Sequence, residues 1–365
     1  MKIIQISFSL TSGGAERFVV DLCNKLASDN HNNVTLLTLL DDKKTGNSHY
    51  MKDLLPTVKY INTGGNRGYS CGNMFKILQI IRNEKPDVVH AHCGVMTLLF
   101  PAIFCKKTSY IHTIHSLAQR YSPGMIQKFL SRYLYGTGKI TPVTISTTCH
   151  KSYYQYYGLS NDVCIDNGRE ALKTTIQFES VKNEISRLKQ NKNVPIFIHI
   201  ARHHPVKNHN RLFKTFERLR EEGVDFLLLV IGDNYGELLE KYENDRQIVL
   251  LGQKNNIGDY MFLADFFVLS SDAEGLPITL LEALSMGVIP VCTPAGGIVD
   301  VIRDGENGYL ANTIDDEDFY QAVRKALQEN GKVLPNRLKE EFIKKYSMEK
   351  CSEKYYKLYE KVIRK

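Results

Sequence analysis

The eight cysteines never form a CxxC pair, so the common zinc-knuckle and redox signatures are absent. Cys23, Cys71, Cys93, Cys105, Cys149, Cys164, Cys292 and Cys351 are scattered, as expected of a chain kept in a reduced cytoplasm. Long hydrophobic runs are missing too. The longest mostly apolar stretch, Val95 to Phe104, falls well short of the about 20 residues that span a bilayer. Met1 and Lys2 lead straight into an apolar strand pattern, Ile3 to Phe8, so no secretory leader is expected ahead of it. No GxGxxG fingerprint opens the chain, and Asp41 and Asp42 after the second apolar run therefore do not complete a dinucleotide site. Internal repeats, proline-rich linkers and low-complexity tracts do not occur.

What is present is enough for two cores. A chain of 365 residues exceeds the usual single domain, and 43% hydrophobic with 24% charged residues excludes disorder. The net charge of +7 admits nucleic-acid binding, attraction to an anionic membrane face or a pyrophosphate-linked lipid, or a lysine-rich surface with no focus.

Apolar runs and helical stripes alternate along the chain. Ile3–Phe8 reads as a strand, and Gly13-Gly14 closes the loop before a helix with Phe18, Val19, Leu22 and Leu26 on one face. A strand over Asn33–Leu40, a helix over Phe75–Arg82 and a strand over Val88–His90 follow. Val95–Phe104 is a helix candidate interrupted by Pro101. Further strands are expected at Tyr110–Ile114, Pro142–Ser146 and Val163–Ile165. This βαβα rhythm predicts α/β architecture with a doubly wound parallel sheet. The helix over Met125–Tyr135 carries Lys128 and Arg132 among apolar residues, with Lys139 just beyond. It either packs on its sheet or lies on a membrane. Tyr153, Tyr154, Tyr156 and Tyr157 read as core and surface filler. A polar, Lys/Asn-rich stretch from Lys182 to Asn193 sets the expected boundary, giving domains 1–190 and 191–345 and a terminal helix in 346–365.

In the second half, the strand Ile196–Ile200 runs into Ala201-Arg202-His203-His204-Pro205-Val206-Lys207-Asn208. Arg202 and Lys207 thus stand at a strand-to-helix junction, where two cations can clamp a diphosphate. His199, His203, His204 and His209 straddle strand and loop without a nearby carboxylate, so no metal site is expected. Phe226–Ile231 is a strand closed by Gly232. Ser270–Cys292 is the most informative stretch. An apolar strand leads into a polar loop with Glu274, Gly275-Leu276-Pro277 turns it, and a helix follows from Ile278 and Thr279 with Glu282 inside it. Such a helix start lies at the ligand edge of an open sheet and attracts phosphate. The two glutamates should stand roughly 8–12 Å apart. That is wider than the about 5–5.5 Å of a nucleophile and acid pair, and suits two carboxylates gripping opposite ends of an extended ligand. The alternative is one solvated loop glutamate and one on a helix surface.

Glu274-Gly275-Leu276-Pro277, Glu282 after seven intervening residues, Ala283 with Gly287, Pro290-Val291 and Gly296-Gly297 together resemble the donor-site signature of the retaining GT-B glycosyltransferases of family 4. Gly13-Gly14-Ala15-Glu16-Arg17 resembles that family's first loop. Arg202 with Lys207 resembles its basic segment, although Ala201 and Asn208 replace glycines, and Arg169-Glu170 depart from its usual residues. The resemblance implies two Rossmann-like domains facing across a cleft, the first taking the acceptor and the second the donor. It implies contact of Gly13, Gly14, Gly232, Ile278, Thr279 and Glu282 with a nucleotide sugar, a UDP-sugar, and roles for Glu274, His115, Arg202 and Lys207 in the reaction. A glycan or lipid-linked acceptor, surface polysaccharide synthesis and a cytoplasmic place at the inner membrane face belong to the same expectation, with no cofactor, metal or nucleic acid. A nucleotide-sugar 2-epimerase of the same fold and a non-catalytic sugar- or nucleic-acid-binding protein are the alternatives.

Overall fold

Parallel strands run through both halves of the chain. The computed structural model describes residues 1–40, 49–65, 71–122, 124–189 and 193–364; Asp41 and Asp42 lie outside them. The chain divides into two units, Met1–Glu170 with Tyr346–Lys365, and Ala171–Lys345. The dividing point thus precedes the polar stretch where the sequence reading puts it. Most of that stretch belongs to the helix Phe178–Leu188, which packs on the helix Ile257–Phe262 of the second unit.

The first unit holds β1 (Lys2–Ser7), β2 (Asn33–Leu40), β3 (Lys59–Gly65), β4 (Val88–His92), β5 (Ser109–Ile114), β6 (Thr141–Thr144) and β7 (Val163–Cys164). They pair in parallel in the order β3-β2-β1-β4-β5-β6-β7. The second holds β8 (Ile196–Ile200), β9 (Leu227–Ile231), β10 (Ile248–Gly252), β11 (Phe266–Leu269), β12 (Ile289–Cys292) and β13 (Tyr309–Leu310), ordered β10-β9-β8-β11-β12-β13. Strands buried on both faces explain the unbroken apolar runs. Each order reverses once, between β1 and β4 and between β8 and β11, and open α/β sheets bind ligands at such points.

One local expectation needs correction, and two elements were not anticipated. Val95–Phe104 is not an α-helix. It forms two short 3₁₀ segments, Cys93–Leu99 and Ala102–Phe104, separated at Pro101, whose ring excludes a continuous helical ladder. β3 escapes the sequence reading because Lys59–Gly65 is a polar edge strand without apolar alternation. Thr147–Tyr157 is a helix, capped by Ser146 and ended by Gly158 at φ +64°. It buries Tyr153 and Tyr157.

The terminal helix Met348–Ile363 belongs to the first unit and packs on the helix Gly14–Ala27. Arg169, the residue that departs from the family pattern, has a structural role there. Its Nη1 donates to Asp21 Oδ2 at 2.6 Å with both groups buried, and its backbone N–H donates to Tyr346 O. Asp21→Ala should therefore cost about 3–5 kcal/mol, because it strands a buried guanidinium. The double variant Asp21→Leu/Arg169→Met should recover part of that loss, because Arg17, which also donates to Asp21 Oδ1, keeps its pairing with Asp53. Urea unfolding of the three proteins checks this, and equal midpoints for the single and double variants would contradict it.

Candidate functional site

The carboxyl ends of β8 and β11 are stitched together by side chains from two loops. Lys207 ends a 3₁₀ turn, Pro205–Lys207, after β8, and its Nζ donates to Glu274 Oε1 at 2.6 Å. Ser271 Oγ donates to the same oxygen at 2.6 Å. Thr293 Oγ1, after β12, donates to Ser271 O at 2.5 Å. Ser270 Oγ donates to the carbonyls of Lys207 and Asn208, and Asp272 N–H donates to Val206 O. Glu274 is therefore not a solvated loop glutamate. Its side chain is only 10% exposed and is held by a cation and a hydroxyl.

Asn208 shows why a residue other than glycine is tolerated at its position. It sits at φ 46°, ψ 59°, a region Asn reaches more easily than most residues. Its Oδ1 accepts from Arg211 N–H to cap the helix His209–Glu221. Arg211 is buried and donates from Nη1 to Ser270 O and Asp272 Oδ1 at 2.7 and 2.8 Å. Ser271, Asp272 and Arg211 thus shape the site although the sequence reading did not single them out. Ser271 and Asp272 gave a signal only as polar residues of the loop, and Arg211 gave none.

The loop then enters the helix Ile278–Met286. Pro277 occupies the N-cap position, and among the described residues no side chain caps the helix. The first-turn N–H groups of Ile278 and Thr279 have no carbonyl within the helix to bond. Glu282 lies one turn further and is buried, which rules out the helix-surface alternative. Gly287 ends the helix at φ +76°. Gly296 holds the glutamate loop from behind. Its φ is +58°, and a Cβ there would fall 1.8 Å from Glu274 O, while Gly297 N–H donates to Gly275 O at 2.7 Å.

Arg202 is on the loop after β8 but exposed, and among the described residues no hydrogen bond or ion pair is recorded for its side chain. Lys207 is paired and Arg202 is not, so the two cations are not arranged as a preformed clamp. Gly232 follows β9, where a Cβ would fall 2.0 Å from Ala201 O; close backbone packing alone accounts for glycine. His199 and His209 form a buried pair, Nε2 to Nε2 at 3.2 Å, with His199 Nδ1 donating to Val268 O. Among the described residues no cluster of His, Cys, Asp or Glu is arranged to hold a metal ion.

His115, Gly13 and Gly14 belong to the first unit. Gly13 precedes the helix Gly14–Ala27 and its N–H donates to Thr11 O. His115 follows β5, its ring edge-on to Phe18 at 5.3 Å. Burial, with His112 adding, pushes its pKa down to about 3. Burial likewise holds His92 well below the usual range, so both rings are neutral near pH 7. The protons can then be placed. His92 Nε2–H donates to the Gln5 carbonyl at 2.7 Å, leaving His92 Nδ1 to accept from His115 Nε2–H at 3.0 Å. His115 Nδ1 is left as a buried acceptor without a hydrogen-bond partner among the described residues. Gln5 Nε2 donates to Tyr359 OH on the terminal helix at 2.9 Å, which anchors the amide orientation.

Comparison with known proteins agrees with this architecture. Residues 12–164 match the model described as Glycosyltransferase Family 4, and residues 180–345 the model described as Glycosyl transferases group 1. The N-acetyl-alpha-D-glucosaminyl L-malate synthase of Bacillus anthracis is 27% identical over 50% of this chain, a match spanning about half, 51%, of that protein. The UDP-Gal:alpha-D-GlcNAc-diphosphoundecaprenol alpha-1,3-galactosyltransferase of Escherichia coli is 26% identical over 69% of each chain. The Anabaena protein HepE, solved with UDP and glucose, superposes with a TM-score of 0.78 at 16% identity, covering 98% of this chain and 99% of its own. The fold is that of the GT-B glycosyltransferases. The chain belongs to their family 4, group 1.

Proposed function

We propose that the protein transfers a sugar from a nucleotide-sugar donor, a UDP-sugar, to a glycan or lipid-linked acceptor in surface polysaccharide synthesis, with retention of anomeric configuration. The observation that carries this reading is the Lys207–Glu274 pair at the β8/β11 switch point, with Glu274 four residues ahead of an uncapped helix start. The second unit holds the donor and the first the acceptor. Ile278 and Thr279 N–H groups take the diphosphate, Glu282 the ribose hydroxyls and Glu274 hydroxyls of the transferred sugar, with Gly232 beside the nucleotide. Gly13 and Gly14, at the strand-to-helix turn of the first unit, leave backbone open to close approach by a ligand. His115, neutral with a bare Nδ1, accepts from a sugar hydroxyl rather than binding a phosphate oxygen.

A nucleoside diphosphate leaves well once its developing charge is neutralised. Lys207 and Arg202 supply that charge, so neither a divalent metal nor a cofactor is required on this reading. Lys207 and Glu274 keep each other paired before the donor arrives, which limits the cost of holding two ions in a partly desolvated loop. The acceptor oxygen then bonds to the anomeric carbon on the face from which the phosphate oxygen departs. Its proton passes to that departing oxygen. Two of the three relatives above carry UDP in their names, the galactosyltransferase as its donor and HepE as a bound ligand, which supports the choice of base.

The slow donor hydrolysis that accompanies transfer tests the reading without knowing the acceptor. With UDP-glucose, UDP-galactose and UDP-N-acetylglucosamine in turn, proton NMR should show one of them releasing UDP and the α-anomer of its sugar first. First release of the β-anomer would overturn retention. A C2 epimer formed without any acceptor would identify a 2-epimerase instead.

A further inference from the structure

The helix Met125–Gly136 turns its apolar side to water. Met125, Ile126, Phe129 and Tyr133 are 74, 86, 65 and 59% exposed, and their spacing places them on one stripe. The buried side, Ser131, Leu134 and Tyr135, already meets the core. The outer stripe is therefore surplus to folding, where a solvated helix would carry polar groups. Just beyond the helix, Phe104 is 63% exposed, packs edge-on against Phe100, and has Lys139 Nζ 5.9 Å from its ring centroid.

The charge around this stripe has one sign. Residues 88–161 contain no Asp or Glu and seven Lys or Arg: Lys106, Lys107, Arg120, Lys128, Arg132, Lys139 and Lys151. Asp162, the first acid after them, has a fully buried side chain that binds His150 and Thr144. Lys106, Lys139 and Lys361 also line one cavity of about 750 Å³ at the amino ends of β5–β7, together with Phe104. Exposed apolar side chains bordered by cations, with no acids among them, match an anionic bilayer surface. A folded protein partner would leave seven unpaired cations needing acids of its own. No described helix is long and apolar enough to cross a membrane, so contact would be from one side.

We propose that the stripe Met125–Ile126–Phe129–Tyr133 and the surrounding basic surface dock the first unit on an anionic lipid bilayer, the helix lying in the headgroup plane and the three-lysine cavity seating a lipid phosphate. This does not depend on the proposed function, because none of Met125, Ile126, Phe129 and Tyr133 is among the residues assigned to donor or acceptor.

The full chain can be sedimented with large unilamellar vesicles of phosphatidylcholine alone or with 30% phosphatidylglycerol. Wild type should bind the anionic vesicles at least about tenfold better, since each basic residue near such a surface contributes about fivefold. Ile126→Ser/Phe129→Ser should reduce binding about tenfold or more with its unfolding midpoint unchanged, because both side chains are exposed. Arg132→Glu/Lys139→Glu should abolish the preference for anionic lipid. Equal binding of wild type to both vesicles, or full binding by the serine variant, would overturn the proposal. So would a dimer in sedimentation velocity that the serine variant dissolves, which would assign the stripe to a second copy.

Discussion

Lys207→Ala should lower the turnover of sugar transfer about 10²–10³-fold, the range for losing one preorganised group that meets developing charge. Lys207 Nζ is 2.6 Å from Glu274 Oε1, and its side chain is 24% exposed. It is thus held at the mouth of the loop and not in the core, so the unfolding midpoint should change little. The KM for donor should rise less than turnover falls, because the diphosphate keeps the helix-start N–H groups while the leaving phosphate loses its cation. Steady-state kinetics separate the two parameters. Turnover near the wild-type value would remove Lys207 from the reaction. A rise in KM alone, with turnover unchanged, would make it a binding residue.

Stability should fall steeply as the pH drops below 6.5. Burial holds His90 and His92 well below the usual histidine range, lowers His112 and His199 to about 4, and lowers His115 to about 3. These groups stay neutral in the folded chain but take up a proton in the unfolded one near pH 6.5. The unfolded state therefore binds more protons below that pH, and stability declines with falling pH. It is fully present above about 6.5 and is lost progressively toward the folded values. At pH 5 each such histidine costs about 2 kcal/mol, so several together rival the whole stability of a domain. Urea midpoints at pH 7.5, 6 and 5 should fall in that order. A flat profile would mean that the histidines are not buried as neutral groups.

The same residues show what the sequence made legible. β2 and β8 match Asn33–Leu40 and Ile196–Ile200 as read, because strands covered on both faces need unbroken apolar runs. Glu274, Pro277, Ile278 and Glu282 were readable because a strand-loop-helix unit imposes local order on its turn residues. Lys207 meeting Glu274 across 67 positions was not readable from spacing, nor was Arg211 reaching Ser270 and Asp272. Those contacts exist only once β8 and β11 become neighbours. Whether the helix Met125–Gly136 packs by its apolar stripe or turns it to water was left open by the sequence for a related reason. Its periodicity is that of a helix packed by its apolar side, and only the fold shows which side packs.

Binding of UDP by titration calorimetry, on wild type and Glu282→Ala at pH 7.5, tests the central claim most directly. That claim is that the stitched β8/β11 loops and the helix Ile278–Met286 grip an activated sugar by its nucleotide. The account predicts one UDP per chain for wild type and at least tenfold weaker binding for the variant, about 1.4 kcal/mol. No UDP binding by wild type, or equal affinity in both proteins, would contradict it.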